Sequence, residues 1–355
     1  MLRCRVIMGI LSESIGCVMH ETGLFPQTRL RRLRGSDKMR ALVKEHSVAT
    51  HKLVLPLFIK QGTGIKHPIA SMPGHYQISL DNLEEEMYAL VALGIKNIIL
   101  FGIPQHKDSL GTDSYSDKGI VQSAISIIKK VAPSIFIITD VCFCEYTCHG
   151  HCGVVTQLEK DSEFYVDNDK TLALLALQAV SHAKAGSDVI APSGNMDGMV
   201  QHIRKALDKA GFQHLPILSY SVKYASSMYG PFRQAAEGAP QFGDRKTYQM
   251  DYSNANEAIR ESALDVAEGA DMLMVKPAHT YLDIIYKVKE AFPHLPLGAY
   301  HTSGEFAMLK AAAEKGWIDE QKGVLEVLTS IHRAGADFII TYYAKEVATW
   351  LSDKR

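Results

Sequence analysis

From about residue 50 onward, short apolar, β-branched runs alternate with longer stretches of helical period. The strand-like runs are Leu53–Ile59, Asn97–Ile103, Ile135–Val141, Asp188–Pro192, Ile217–Lys223, Met272–Lys276, Leu297–His301 and Phe338–Tyr343. Nearly every residue in them is apolar, the pattern of parallel strands buried on both faces rather than of strands with one wet side. The stretches Asn82–Leu93, Gly119–Val131, Lys170–Ala185, Asn256–Glu268, Tyr281–Ala291, Glu305–Lys315 and Asp319–Arg333 are amphipathic with a helical repeat. Strands alternating with helices imply right-handed βαβ crossovers. Eight such units predict a closed (β/α)₈ TIM barrel, and no G-x-G-x-x-G follows the first strand to favour an open dinucleotide-binding sheet. The expected organisation is an extended N-terminal arm over residues 1–45, its first 26 or so poorly specified, followed by a catalytic barrel over 46–355.

Two connections are long: Cys142 to about Asp169 after the third strand, and Tyr224 to about Asn256 after the fifth. Both leave the C-terminal ends of strands, where barrel enzymes build their sites, and long loops there are candidate binding and lid segments. The strand ends are also where polar groups collect. Asp140 and Cys142 close the third strand, Lys223 the fifth, Lys276 the sixth, His301 the seventh and Tyr342 the eighth. Four apolar residues lead straight into Lys276, which predicts a buried stem. A desolvated ammonium loses its proton more readily and yields the neutral amine that attacks ketones. The alternative is a lysine whose head reaches water at the rim. Lys223 at the equivalent position of the neighbouring strand favours chemistry, because two ammonium groups in one mouth raise the cost of charging either.

Charge changes little: 38 basic against 39 acidic residues leave a net −1, so no global field draws nucleic acid or an anionic membrane. No apolar run approaches the roughly 20 residues of a spanning helix, and the short run near the N-terminus is cut off by Glu13, so a cytoplasmic location is expected. Four of six cysteines fall between Cys142 and Cys152. Such clustering in a long chain points to a metal rather than to a disulfide framework. Three thiolates with an open fourth position would make a Lewis-acid site; four would make a closed structural one, and His149 or His151 are further candidate ligands. In the long fifth loop, Arg233 and Arg245 are candidates to clamp a carboxylate while excluding water.

Several long strings, in order, make the chain resemble the porphobilinogen synthase (5-aminolevulinate dehydratase) family from about residue 27 to the C-terminus. They are Met274-Val275-Lys276-Pro277, Tyr229-Gly230-Pro231-Phe232-Arg233, the Asp140–Gly153 cysteine loop and Tyr300-His301-Thr302-Ser303-Gly304-Glu305-Phe306. Leu55-Pro56-Leu57-Phe58 and Ser71-Met72-Pro73-Gly74 also resemble it. The resemblance implies a lyase of tetrapyrrole (haem) synthesis that condenses two 5-aminolevulinate molecules to porphobilinogen. By it Lys276 matches the Schiff-base lysine of the substrate that supplies the propionate chain (the P side), and Lys223 the lysine of the other (the A side). Cys142, Cys144 and Cys152 match the zinc thiolates. Ser303 and Tyr342 match the P-side carboxylate binders; Arg233, Arg245 and Gln249 match those of the A side. Asp140, between strand and metal loop, is placed to act as a base or to orient an amine. Glu261 looks like the residue of a second-site magnesium, and homo-octamers with embracing arms are implied. Cys148, where many relatives carry serine, and His279-Thr280, where smaller residues are common, depart from the pattern.

Overall fold

The computed structural model describes residues 25–157 and 164–353. The expectation of a poorly specified leading segment falls almost wholly on residues outside that range. The described chain groups into two compact units, one ending at Ser47 and one beginning at Val48. In the first, a 3₁₀ turn over Leu30–Arg34 is followed by a helix over Asp37–Leu42, whose start is capped by the Ser36 hydroxyl accepting from the Met39 N–H. Leu30, Leu33 and Leu42 remain exposed.

The second unit is the barrel. Its parallel strands are β1 (Leu53–Lys60), β2 (Asn97–Ile103), β3 (Phe136–Val141), β4 (Val189–Pro192), β5 (Leu218–Lys223), β6 (Met272–Lys276), β7 (Leu297–His301) and β8 (Phe338–Thr341). Hydrogen-bonded neighbours run β4-β3-β2-β1-β8-β7-β6-β5, and a parallel bridge between Ile190 and Ile217 brings β4 to β5. The predicted (β/α)₈ TIM barrel is therefore the fold observed. The strands are buried almost end to end; all six residues of β5 are buried, including Ser219, Ser221 and Lys223. Helices α1 (Leu83–Ala92), α2 (Ile120–Val131), α3 (Asn168–Ala185), α4 (Met199–Lys209), α5 (Asn256–Glu268), α6 (Leu282–Ala291), α7 (Ser303–Glu314), α8 (Glu320–Arg333) and α9 (Ala344–Ser352) lie between and after them.

One device recurs at the N-terminal ends of the strands. The residue that opens or directly precedes each even-numbered strand is an Asx whose side chain bonds the backbone of the odd strand before it. Asp188 Oδ2 accepts from Ile137 N at 2.7 Å, Asp271 Oδ2 from Ile217 N at 2.8 Å and Asp337 Oδ2 from Leu297 N at 2.8 Å. Asn97 Nδ2 donates to Leu53 O at 3.1 Å. Lys129 and Lys289, from α2 and α6, pair with Asp188 and Asp337. The three aspartates thus satisfy backbone donors near the start of β3, β5 and β7, and Asn97 satisfies the carbonyl of the residue that opens β1.

The structure differs from expectation in its smaller elements. Helix α4 carries buried apolar residues only at Met199, Val200, Ile203 and Leu207, too few to stand out beside Gln201, His202, Arg204 and Lys205. Helix α7 begins at Ser303 because Thr302 and Glu305 form a capping box. The long loops are not structureless. The one after β3 holds an antiparallel pair, Val155–Gln157 with Phe164–Val166, and the one after β5 a 3₁₀ turn over Ser227–Tyr229 and a short helix over Gly230–Ala235.

Candidate active site

Lys223 and Lys276 are paired residues on β5 and β6, so their side chains leave the sheet side by side at the C-terminal mouth. Each is 5% exposed. The Lys276 ammonium sits 4.2 Å from the centroid of the Tyr300 ring and 5.1–5.3 Å from those of Phe232, Tyr229 and Tyr220. Burial, and after it the charge of Lys223, lowers the Lys276 pKa from 10.5 to about 7, against the opposing pull of Asp140. The aromatic faces hold the head group without a carboxylate in direct contact, which is how a buried lysine is kept poised between charged and neutral.

Asp140, on β3, accepts from the Ser193 hydroxyl through Oδ2 at 2.9 Å, and its Oδ1 has no partner. Lys223 donates to the backbone oxygen of the same Ser193. Ser193, one residue beyond β4, thus ties the acid to the second lysine; sequence reasoning misses it because a lone serine after Pro192 carries no signal of its own. Burial pushes the Asp140 pKa up, while Lys223 and Lys276 pull it down.

The thiols of Cys142, Cys144 and Cys152 are buried and all within 4.8 Å of one another, with Cys142 and Cys144 3.5 Å apart. Sulfurs bound 2.3 Å from a tetrahedral ion lie about 3.8 Å apart, so this set fits a metal held by three thiolates. Hydrogen bonds from Cys142 and Cys144 pull the Cys152 pKa well below that of a free thiol, while those of Cys142 and Cys144 are themselves shifted well above it. Cys148 is exposed and outside the cluster. His151 is hydrogen-bonded to Tyr248 and to the Phe242 backbone, and His149 to Ser109, so both stay within loop contacts. Glu145, given no role by the sequence, is buried beside the thiols, and Asp140, Cys142 and Glu145 form a second group of converging ligand atoms. Burial, then Asp140, raises the Glu145 pKa to about 7.

Arg233 and Arg245 approach from the loop after β5. Arg245 donates through one terminal nitrogen to Gly150 O at 2.8 Å and Gly238 O at 2.6 Å. The Nε of each arginine is buried without a partner. Burial, then the neighbouring Arg245, lowers the Arg233 pKa. Unspent donors on two neighbouring guanidinium groups are the chemistry that suits an anion. Phe101, Glu145, Tyr229, Phe232 and Arg245 join Asp140, Ser193 and the lysines around a chamber of only about 10 Å³, at the limit of what one water needs.

Ser303 opens α7; its Oγ accepts from Phe232 N at 2.9 Å, tying that helix to the loop. Tyr342, fully buried, shares a 3.1 Å hydrogen bond with Tyr300. Glu305 explains the Thr302-Ser303-Gly304-Glu305 string: its carboxylate accepts from Thr302 N at 2.6 Å, His279 N at 2.6 Å and Ala278 N at 3.4 Å. It thereby fixes the turn just after Lys276-Pro277. Gln249 and Glu261 lie elsewhere, on a neighbouring polar cavity of about 480 Å³ that also takes in Asp197, Tyr220 and Asp265. Both polar atoms of the buried Gln249 amide lack partners. Burial, and then Asp265, pushes the Glu261 pKa to about 6.

A parallel α/β barrel with buried titratable groups gathered at its C-terminal mouth is the architecture of a TIM-barrel enzyme. The family model described as delta-aminolevulinic acid dehydratase matches residues 27–350. The delta-aminolevulinic acid dehydratase of Synechocystis sp. is 54% identical over 330 residues, covering 93% of this chain and 100% of its own length. That of Bacillus subtilis is 54% identical over 325 residues, 92% of this chain and 98% of its own. The Toxoplasma gondii delta-aminolevulinic acid dehydratase (porphobilinogen synthase), solved in complex with the reaction product porphobilinogen, superposes with a TM-score of 0.89 at 45% identity and 94% coverage of both chains. The chain belongs to the delta-aminolevulinic acid dehydratase family and is a dehydratase of the lyase class.

Proposed function

We propose that this chain condenses two molecules of 5-aminolevulinate to porphobilinogen, releasing two waters. The pairing of Lys276 with Lys223 across β5 and β6, both buried and one with its amine brought near neutral, carries the reading. The neutral Lys276 amine adds to the ketone carbon of one substrate, and loss of water leaves an imine that acts as an electron sink for the adjacent carbon. Lys223 does the same for the second. Asp140, with one oxygen uncommitted, takes or returns the proton that moves, and Ser193 keeps it aligned with Lys223. Overall one carbon–carbon and one carbon–nitrogen link join the substrates while both ketone oxygens leave as water. Arg233 and Arg245 bind one carboxylate, with Gln249 turning toward it from the adjoining cavity; Ser303 and Tyr342 bind the other.

Cys142, Cys144 and Cys152 would hold zinc, which when bound supplies a Lewis acid with an open position able to polarise a carbonyl. The resemblance extends the reading to a magnesium at Glu261, whose cavity also holds Asp197 and Asp265, although among the described residues these carboxylates do not converge as a ligand group. Among the described residues no helix is long and apolar enough to cross a membrane. The likeness to bacterial dehydratases supports a cytoplasmic enzyme of tetrapyrrole synthesis, and the balanced charge supports one without nucleic-acid partners. The exposed Leu30, Leu33 and Leu42 support self-association, and we extend the reading to a homo-octamer.

The test is incubation of the metal-loaded protein with 5-aminolevulinate, reduction with borohydride and mass mapping of the peptides. An adduct on Lys276 is expected. Folded, metal-loaded protein that forms porphobilinogen with no adduct on either lysine would defeat the mechanism.

A further inference from the structure

The loop after β5 contains a backbone anomaly that its own sequence does not require. Glu237, just past the short helix Gly230–Ala235, adopts φ 52°, a left-handed conformation that glycine or asparagine takes with least strain. A residue kept there at a conformational cost is kept for its side chain. Its carboxylate is paired with Lys60, the last residue of β1, and accepts from Gln77 Nε2 at 3.1 Å. The same Gln77 nitrogen donates to Ala235 O at 2.8 Å, and Lys107, beyond β2, donates to the Glu237 backbone oxygen at 2.6 Å. Groups from three separate parts of the barrel rim therefore converge on one residue of the loop.

Immediately C-terminal to Glu237 the chain enters the substrate-facing machinery. Gly238 donates its N–H to Arg233 O at 3.2 Å, and its own carbonyl accepts from Arg245 at 2.6 Å. A side chain on Gly238 would come within 2.9 Å of the Cys144 carbonyl, so this residue lies flat against the metal loop and has no room to slide. Fixing Glu237 at the rim thereby fixes Gly238, and Gly238 holds the Arg245 guanidinium through its carbonyl and the Arg233 backbone through its N–H.

We propose that Glu237 is a positioning residue for substrate binding: clasped by Lys60 and Gln77, it locks the loop over the mouth so that Arg233 and Arg245 present their free donors to a substrate carboxylate. This rests on the reading of those two arginines as carboxylate binders. Lys60 and Glu237 are part-exposed, with side-chain exposures of 30% and 42%, which leaves the clasp able to open for each turnover. The device acts through geometry, not through contact with the reacting atoms.

The test is steady-state kinetics on metal-loaded, full-length protein with Glu237→Gly, Glu237→Gln, Lys60→Met and the Glu237→Gly/Lys60→Met double variant, beside Arg245→Ala. Glycine suits the left-handed backbone better than glutamate, so any loss in Glu237→Gly comes from the missing carboxylate. Expected are a rise in KM for 5-aminolevulinate of about tenfold with kcat changed less than about twofold, the signature of lost binding geometry. Glu237→Gln, which keeps an acceptor for Lys60, falls between wild type and Glu237→Gly. The double variant is no worse than the worse single variant, because both remove one clasp. Trypsin cuts at Lys246 faster in Glu237→Gly than in wild type. If Arg245→Ala raises KM and Glu237→Gly leaves it within about twofold of wild type, the clasp is refuted while the arginine reading stands. If Arg245→Ala leaves KM unchanged, the arginine reading fails and takes the proposal with it. A fall in kcat at unchanged KM, or additive losses in the double variant, would also overturn it.

Discussion

The titration of Lys276 offers the sharpest quantitative handle on this site. An unperturbed lysine is neutral to roughly 3 parts in 10,000 at pH 7, whereas an amine with a pKa near 7 is about half neutral. The fall from 10.5 to about 7 corresponds to roughly 5 kcal/mol of disfavoured charge, at about 1.4 kcal/mol per unit. The reactive fraction therefore gains on the order of a thousandfold. With 5-aminolevulinate and cyanoborohydride, the rate of adduct formation at Lys276, followed by quench and peptide mass mapping, should climb about tenfold per unit below pH 7 and level off above it. Lys223→Met removes the second cause of the shift and leaves the first, burial. Its midpoint should move upward, slowing adduct formation at pH 6 while leaving the plateau at high pH in place. A wild-type rate that keeps rising tenfold per unit through pH 9 would mean an ordinary lysine, and the physical case for its role would collapse.

Other outcomes rest on the same geometry. Folded Lys276 sheds its proton near 7, while the unfolded chain holds it to about 10.4, so this group makes stability fall as pH drops from 10 toward 7. Lys276→Met should accordingly raise the melting temperature, and more at pH 7 than at pH 9; calorimetry at the two values decides, and an equal or reversed gain contradicts the shift. Cys152→Ser should lower the bound metal measured by elemental analysis, whereas Cys148→Ser, outside the thiol cluster, should leave it at the wild-type level. A loss of metal in Cys148→Ser would mean a four-thiolate centre. Asp337→Ala orphans the Leu297 N–H and should cost about 1–3 kcal/mol in denaturant unfolding while leaving KM unchanged at a permissive temperature; an unchanged midpoint would show that the bond is dispensable.

The barrel strands are legible in the sequence because burial on both faces forces nearly unbroken apolar runs, and their shortness beside the longer helical stretches separates them from buried helix segments. The paired lysines are legible for a related reason: each is a charged residue ending such a run. Helix α4 is not, because its buried apolar residues, though they share one face, are outnumbered by polar ones and leave the segment hydrophilic on average. The aromatic box around Lys276 is invisible too, because Tyr220, Tyr229, Phe232 and Tyr300 come from distant stretches and read singly as ordinary core. Ser193 and Glu237 work through partners 53 and 177 residues away in sequence, a distance no local pattern reports. Gln249, grouped by resemblance with the two arginines, lines the adjoining cavity instead, a placement that no local pattern in the sequence reports.

The Asx residues at the foot of the barrel couple strands in twos: β1 with β2, β3 with β4, β5 with β6, β7 with β8. Each couple contributes to the mouth something the others lack. The first brings Lys60 to the clasp, the second Asp140 and the metal loop, the third the lysine pair, and the fourth the turn into Ser303 and Tyr342. Because each clamp lies at the far end of its strands from the chemistry, the frame can be stiffened or loosened couple by couple without rewriting the reacting groups. The foot of the barrel thus offers places to adjust stability away from the reacting groups, while the buried Lys276 makes its own demand on stability at the mouth.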